Sequence, residues 1–356
     1  MNAGKRYYLL LYSAYSFYLM HSGVSVAQQS LVFSQGFVIC HCFYSGFGAI
    51  EMKFPHLTAL LFLLYLPAAF ANKEIPIWPN EVSGNNKFIN FSKNPAINNR
   101  AVTNVDSPEM IYVPPAGKNN HSAVLIIPGG GFSYIMQDAE GLDVAKVLSQ
   151  KGYSSFVLIY RMPRGGSEVN RNNAFSDAQR AMRMIRGNAA NYHIAADQIG
   201  VMGFSAGAFL AANLSNNADA SNYSAVDKLD QIPARPDFSA LIYPVLSLKD
   251  GVTHVGTRTA MYGKDISESV IDQNSQENRV SDKTPPTFLA QALDDGTASP
   301  RNTLLMFDAL RKNKVKVEMH LFQQGGHGFG TGEKKNIPAK NWLTLFSDWQ
   351  ASLVKP

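Results

Sequence analysis

Short apolar runs alternate with amphipathic segments along most of the chain. Several of the runs are apolar at almost every position, which is typical of strands that helices cover on both faces. The runs that predict strands are SAVLIIPGGG (122–131), YSSFVLIYR (153–161), QIGVMGFS (198–205), FSALIYPVL (238–246), PTFLAQAL (286–293) and KVEMHLF (316–322).

Helical periodicity fills the intervals between these runs. In residues 176–192, apolar side chains recur at i, i+3, i+4 and i+7, namely Ala178, Ala181, Met182 and Ile185. Similar patterns cover 141–151, 206–215, 300–313 and 338–353. Strands and helices in alternation predict an α/β fold with a mostly parallel central sheet and helices on both faces. The polar stretch 247–284 predicts an irregular excursion over the site.

The chain carries a leader-like segment before this pattern. From Met52 onward, a lysine, an apolar run (57–66) and a small-x-small triplet (69–71) follow in the order of a secretory signal peptide. The run is too short to anchor stably in a hydrocarbon layer of ~30 Å. We predict a signal peptide over 52–71, with a buried core helix as the alternative.

This prediction divides the chain into three parts. Residues 72–356 are expected to form a single catalytic domain that is exported, to the periplasm or the medium. Residues 1–51 contain a second signal-like run and are expected to be a mis-called extension without a stable fold. Translation starts at Met1 or Met52, and the pattern leaves both open.

Composition narrows the class of protein. Hydrophobic residues make up 46% of the 356 residues and charged residues 17%, which is typical of a globular protein. The formal charge of +5 is scattered, so nucleic acid is not an expected partner. Both cysteines, Cys40 and Cys42, precede the predicted domain, so the sequence implies no disulfide framework, metal site or other cofactor.

The segment VMGFSAGAF (201–209) contains the first candidate for chemistry. Ser205 lies between Gly203 and Gly207, where a predicted strand ends and a good helix former begins. Such a corner strains the serine backbone, and the two glycines let neighbouring chain approach without Cβ clashes. The hydroxyl then projects above the sheet, beside the N–H groups of a helix N-terminus. These features favour a nucleophile over a turn serine.

A serine nucleophile needs a base, and three histidines follow Ser205. His327 comes just after the last predicted strand, in a glycine-rich loop that can bring an imidazole to the serine. His320 lies inside a strand pattern, which favours packing or exposure, and His254 in the polar stretch is a candidate for the pocket wall. We therefore predict His327 as the general base.

The acid that orients the base should follow the preceding strand. Asp294 and Asp295 both occupy that position, directly after the run 286–293. The residues alone favour neither, and the one not used is expected to be a turn or helix-capping residue.

Three glycines (129–131) follow the first strong strand and can turn their N–H groups toward a tetrahedral oxyanion. By position, we expect an oxyanion hole at Gly130, Gly131 and Ala206. The glycines do not predict a phosphate loop, because no Gly-Lys-Ser/Thr follows them. Phe132, Tyr134 and Phe204 are candidates for an acyl pocket, with simple core packing as the alternative.

Taken together, these segments resemble the α/β-hydrolase superfamily, and within it the bacterial acetyl-esterase and lipase-like group that includes acetyl xylan esterases. The resemblance runs from about residue 75 to about residue 350. It rests on IPIWPN (75–80), IPGGGF (127–132), the segment 176–207, RPDFSALIYPV (235–245), PPTFLAQALDD (285–295) and GGHGFG (325–330).

The resemblance implies the α/β-hydrolase fold, with Ser205 as nucleophile, His327 as base and Asp295 as the acid, and it thereby decides between the two aspartates. It also implies an oxyanion site at the amides named above. Gln291 stands where relatives often have histidine, so the support of the acid loop is expected to differ.

The expected function is that of an exported serine carboxylesterase without a cofactor. It would remove a short acyl group, expected to be acetyl, from an acetylated sugar or polysaccharide through an acyl-enzyme. The alternatives are a serine peptidase of the same fold, which would usually add a large peptide-selecting domain, and a non-catalytic binding protein. No stable membrane anchor is expected, and the pattern leaves the oligomeric state open.

Overall fold

The computed structural model describes residues 26–34, 37–44, 47–55, 73–79, 86–93, 99–333 and 336–354. The chain divides into two compact units, Met1–Ala69 and Phe70–Pro356.

The first unit contains a small antiparallel sheet. Its strands β1 (Val26–Ser34), β2 (Phe37–Tyr44) and β3 (Phe47–Pro55) pair in the order β1-β2-β3. The structure thus places strands where the sequence predicted a segment without a stable fold, and β-branched and aromatic residues are frequent in them. Most of the predicted signal peptide, residues 56–71, lies outside the described residues.

The second unit is built on a mostly parallel sheet. In chain order, its described strands are β4 (Lys73–Pro76), β5 (Lys87–Asn90), β6 (Arg100–Asn104), β7 (Glu109–Val113), β8 (Ala123–Ile127), β9 (Ser154–Ile159), β10 (Ile199–Phe204), β11 (Ser239–Ile242), β12 (Thr287–Ala292) and β13 (Val317–Phe322). Eight of them form one sheet in the order β13-β12-β11-β10-β8-β9-β7-β4, and β5 and β6 pair separately.

The direction of the strands confirms the predicted sheet. Strands β8 to β13 are parallel to their neighbours within this group, whereas β7 runs antiparallel to both β9 and β4. The pattern did not indicate β4 and β7, because they are short and carry charged residues. Strands β8 to β12 are buried at every position, as expected of strands covered on both faces.

Helices connect these strands. They are α1 (Asp143–Gln150), α2 (Glu168–Gly187), α3 (Ala206–Asn216), α4 (Val255–Tyr262), α5 (Glu268–Asn274), α6 (Arg301–Lys312) and α7 (Trp342–Leu353). Helix α2 begins before its apolar pattern, because the hydroxyl of Ser167 accepts a hydrogen bond from the N–H of Asn170 and caps it. None of the described helices combines the length and the apolarity needed to cross a bilayer.

The stretch 247–284 differs from its prediction as an irregular excursion. It contains α4 and α5, whose first turns are capped by the side chains of His254 and Ser267. Histidine is an uncommon capping residue, so little in the sequence indicates α4.

This stretch, which we call the wall segment (247–284), is tied to the rest of the domain. The side-chain oxygen of Asn302 accepts the N–H of Ser247, and its amide group donates to the carbonyl of Val252. Farther along the segment, the carbonyl of Ala260 in α4 accepts a hydrogen bond from the N–H of Gly166. These ties hold the first half of the wall segment, 247–260, against the rest of the domain.

Candidate active site

Ser205 lies at the corner between β10 and α3, and its backbone is held in a strained conformation. Its φ and ψ are 49° and −120°, in a region that residues other than glycine rarely adopt. Its N–H donates to the carbonyl of Ile242 at the end of β11, and its own carbonyl accepts from Val245. The neighbouring strand therefore fixes the position of the serine.

The two flanking glycines are required by close packing. A Cβ on Gly203 would lie 2.6 Å from both the Cα of Ala208 and the Cβ of Ala211. A Cβ on Gly207 would collide with the carbonyl oxygens of Ile127 and Pro128. Each glycine thus lets α3 start directly above the sheet, which is the sharp corner that the sequence predicted.

The structure brings the predicted serine, histidine and aspartate together. The hydroxyl of Ser205 is 2.8 Å from Nε2 of His327, and Nδ1 of His327 is 2.8 Å from Oδ2 of Asp295. Ser205 and Asp295 are each 7% exposed. An imidazole between a hydroxyl and a carboxylate can accept the hydroxyl proton while the carboxylate fixes its orientation.

The Asp295 carboxylate is held in its ionised form. Oδ1 accepts the N–H groups of Thr297 and Ala298, and Oδ2 accepts from the Gln291 amide as well as from His327. Burial raises the pKa of Asp295, but the hydrogen bond and charge of His327, together with the two backbone amides, hold that pKa below its ordinary value of 3.8. The carboxylate is therefore charged at neutral pH and can stabilise an imidazolium.

Gln291 supplies the support that the resemblance left open. It is fully buried, and its oxygen accepts a hydrogen bond from the hydroxyl of Thr303. This bond orients its amide group toward Asp295. Gln291 is therefore a side-chain donor to the acid.

Asp294 lies in a turn, as expected, and also makes a contact that was not expected. Its Oδ1 accepts the N–H of Gly326 at 2.8 Å, so it ties the loop that carries His327 to the end of β12. The expectation missed this role, because Gly326 is distant in sequence. The two consecutive aspartates thus contact the histidine loop in different ways, one through its backbone and one through the imidazole.

The glycine loop lies directly against the serine. A Cβ on Gly129 would be 2.8 Å from the Cβ of Ser205, and the N–H of Gly129 is taken by the carboxyl group of Glu140 at 2.7 Å. Within residues 99–333, no protein acceptor takes the N–H of Gly130, Gly131 or Ala206. These three amides are therefore available to a ligand oxygen at this corner.

Glu140 and Tyr243 form a buried link that sequence reasoning missed. The hydroxyl of Tyr243 donates to Glu140 at 3.1 Å and accepts the N–H of Gly330 at 3.2 Å. The ring of Tyr243 also meets the imidazole of His327, with 5.2 Å between centroids. Glu140 therefore connects the glycine loop, through Tyr243, to the histidine loop.

Burial raises the pKa of Glu140, although the N–H of Gly129, the charge of His327 and the hydroxyl of Tyr243 all act to lower it. In the sequence, Glu140 stands one residue before the helix pattern 141–151, and nothing there points to Gly129 or Tyr243 as its partners.

Two of the three predicted pocket aromatics belong to the core instead. Phe204 is fully buried and packs against Tyr243 and Trp342, and Phe132 is 2% exposed and packs edge-on against Tyr160. The pocket prediction is wrong for both, because neither presents surface to a substrate. Tyr134 is partly exposed beside the glycine loop, so its pocket role stays a prediction.

The remaining histidines occupy the positions expected of them. His320 lies on β13, where it pairs with Glu318 at 2.8 Å and packs near the ring of Phe288. His254 faces the glycine loop, since a Cβ on Gly131 would lie 3.6 Å from its Cε1. Of these two, only His254 lies on the same cleft as Ser205.

Comparison with known proteins identifies the family. The BD-FAE family pattern matches residues 110–310, which is more than half of the chain. The chain belongs to the BD-FAE family.

Two curated relatives of this BD-FAE protein are linked to xylan. An acetylxylan esterase of Xylanibacter ruminicola is 30% identical over 214 residues, which cover 59% of this chain and 41% of that protein. Endo-1,4-beta-xylanase B of Butyrivibrio fibrisolvens is 32% identical over 205 residues, which cover 58% and 32%. The chain thus matches less than half of the length of either relative.

Solved structures match a larger share of this BD-FAE chain than the two relatives do. An acetyl ester-xyloside bifunctional hydrolase of Caldicellulosiruptor lactoaceticus superposes with a TM-score of 0.66 at 31% identity, over 79% of this chain and 96% of that one. A propionate-bound esterase of Thermogutta terrifontis, at 20% identity and a TM-score of 0.57 over 75% and 94%, shows the fold alone.

These findings confirm the predicted α/β-hydrolase fold and the likeness to acetyl-xylan-esterase-type enzymes. They also support the prediction of a serine ester hydrolase.

Proposed function

We propose that this protein is a carboxylesterase that removes acetyl groups from an acetylated sugar or plant polysaccharide. The observation that carries the proposal is the hydrogen-bonded series from Ser205 through His327 to Asp295. A buried, oriented carboxylate at one end and a hydroxyl beside free backbone amides at the other are the parts that acyl transfer requires.

In the first half of the reaction, the Ser205 oxygen attacks the ester carbonyl and its proton moves to Nε2 of His327. The carbonyl oxygen becomes an oxyanion, which the amides of Gly130, Gly131 and Ala206 stabilise, each donor contributing about 2.7–4 kcal/mol. The C–O bond to the sugar then breaks, and the imidazolium returns the proton to the leaving hydroxyl. The product is an acetyl group on the serine.

In the second half, a water molecule takes the place of the sugar. His327 removes its proton, the hydroxide oxygen attacks the acetyl carbonyl, and the proton returns to Ser205 as acetate leaves. Asp295 keeps the imidazole in one orientation and stabilises its charged form throughout. The protein groups suffice for this cycle without a cofactor.

The choice of an acetylated sugar is supported by the xylan-linked names of the matched relatives and of the bifunctional hydrolase. Export, predicted from residues 52–71, agrees with a polymeric substrate outside the cell.

The test compares the wild-type protein with Ser205→Ala. We expect acetate release from acetylated xylan and from p-nitrophenyl acetate to fall at least about 10⁴-fold, because the nucleophile is lost. A fluorophosphonate probe should label the wild-type protein only. Circular dichroism of both proteins checks that the fold is kept.

The alternatives give different results in the same assays. Faster cleavage of dipeptide amides than of acetyl esters would indicate a peptidase, and absence of labelling would indicate a binding protein. Wild-type turnover by folded Ser205→Ala would overturn the proposed mechanism.

A further inference from the structure

His254 stands on the wall segment opposite the groups that perform acyl transfer. It is half-buried, it directly precedes α4, and its Cε1 faces Gly131 of the glycine loop. The charges of His327 and Asp295 both act on its imidazole, so the ring lies on the cleft that holds them. The reaction proposed above uses no atom of His254.

The capping bond fixes which nitrogen of His254 carries the proton. The N–H of Thr257, the third residue of α4, donates to Nδ1 at 3.2 Å, and the Thr257 hydroxyl lies 2.9 Å from the same nitrogen. A backbone N–H is an obligatory donor, so Nδ1 must offer a lone pair. The proton of the neutral ring is therefore on Nε2.

The neutral form is favoured by the surroundings. Burial and the positive charge of protonated His327 lower the pKa of His254, and the Asp295 carboxylate opposes them only in part. Throughout residues 99–333, no protein acceptor takes the Nε2 proton. The result is one uncharged N–H donor in a fixed position beside the glycine loop.

We propose that His254 is a sugar-binding residue, whose Nε2–H donates a hydrogen bond to a hydroxyl or ring oxygen of the acetylated sugar. This inference rests on the proposed function and adds a specificity-determining group to it. Sugars offer many hydroxyl and ring oxygens as acceptors, whereas p-nitrophenyl acetate has neither a hydroxyl nor a ring oxygen. A donor that the cap and the tied wall segment hold in advance loses little freedom on binding.

The decisive variant is His254→Asn. Asparagine is a preferred capping residue, so its side-chain oxygen can accept the Thr257 N–H and keep α4. Its side chain is too short to replace the Nε2 donor. Val255→Ala, a change at the neighbouring exposed position, serves as the control.

The first measurement does not depend on turnover. In the Ser205→Ala background, calorimetric titration with an acetylated xylo-oligosaccharide should give a Kd that His254→Asn raises about five- to tenfold, the loss of one hydrogen bond. The Val255→Ala control should leave this Kd within about twofold of its background. An unchanged Kd in the His254→Asn protein overturns the inference.

The second measurement compares substrates in the catalytically intact protein. For His254→Asn, kcat/KM for the acetylated xylo-oligosaccharide should fall at least about fivefold more than kcat/KM for p-nitrophenyl acetate, mainly through KM. Equal losses on both esters would show a structural or oxyanion role and would contradict the inference. Failure of the proposed function looks different, because the wild-type protein would then release no acetate while the Kd values still report on His254.

Discussion

The consecutive aspartates provide the sharpest test of the site, because the structure gives them different partners. In Asp295→Asn, the side-chain oxygen would stay with the N–H groups of Thr297 and Ala298. The new NH₂ group would then face two groups that donate hydrogen bonds to Asp295 in the wild-type protein, Nδ1–H of His327 and the side-chain amide of Gln291. The imidazole must shift its proton from Nδ1 to Nε2 to relieve this conflict.

That shift removes the base, because a protonated Nε2 cannot accept the proton of the serine. In serine proteases of unrelated fold, the same exchange lowers kcat about 10⁴-fold, equal to ~5.4 kcal/mol of transition-state stabilisation. We expect a loss of that order for Asp295→Asn, with little change in KM. Asp294→Asn keeps an oxygen for the N–H of Gly326, so its kcat should stay within about threefold of wild type.

The assay is steady-state hydrolysis of p-nitrophenyl acetate by both variants, with thermal unfolding of each as a check on the fold. Similar losses in the two folded variants, or the larger loss in Asp294→Asn, would refute the assignment of the acid.

Three further changes test the surroundings of the site. Burial raises the pKa of Glu140, so the folded protein holds the carboxyl proton more tightly than the unfolded chain does. The free energy of unfolding of the wild-type protein should therefore fall as the pH rises from the unfolded-state pKa of about 4.5 toward the raised pKa of the folded state. Urea unfolding from about pH 4 to about pH 8 should show a smaller fall for Glu140→Gln, and an equally steep one would count against this reasoning. Gly207→Ala should lose about 2–3 kcal/mol of unfolding free energy, because the new Cβ would collide with two carbonyl oxygens. The control Gly296→Ala, whose Cβ would meet no atom, should lose less than about 1 kcal/mol. Equal losses in the two variants would argue against the steric explanation. Gln291→Met removes a donor to the Asp295 carboxylate and should cost about 1.5–3 kcal/mol in the same assay; wild-type stability would show that the bond contributes little.

Local patterns predicted the parallel part of the sheet, because β8 to β12 are apolar at nearly every position and each is followed by a turn signal. The same patterns placed Ser205 and His327 at the carboxyl ends of strands, where a parallel sheet gathers side chains at one edge. Resemblance was needed to choose between the two aspartates, since both follow β12.

Other parts of the site depend on contacts between distant residues. Glu140 reaches Tyr243 across 103 positions of the chain. Tyr243 lies in the segment 235–245 that carries the resemblance, but nothing in that segment points to Glu140. Phe204, a candidate for the pocket with core packing as its alternative, directly precedes Ser205 in the sequence. In a strand, however, adjacent side chains point to opposite faces, and this one packs in the core.

The crowding around the glycines limits which positions of this protein tolerate substitution. At the corner itself, a methyl group on residue 130 or 207 would meet backbone atoms, which cannot move aside as a side chain can. The start of α4 is less crowded, since Val255 and Gly256 are exposed and His254 faces the cleft. Laboratory evolution toward other esters should therefore accumulate its successful substitutions on the wall segment and leave the acyl-transfer corner as it is.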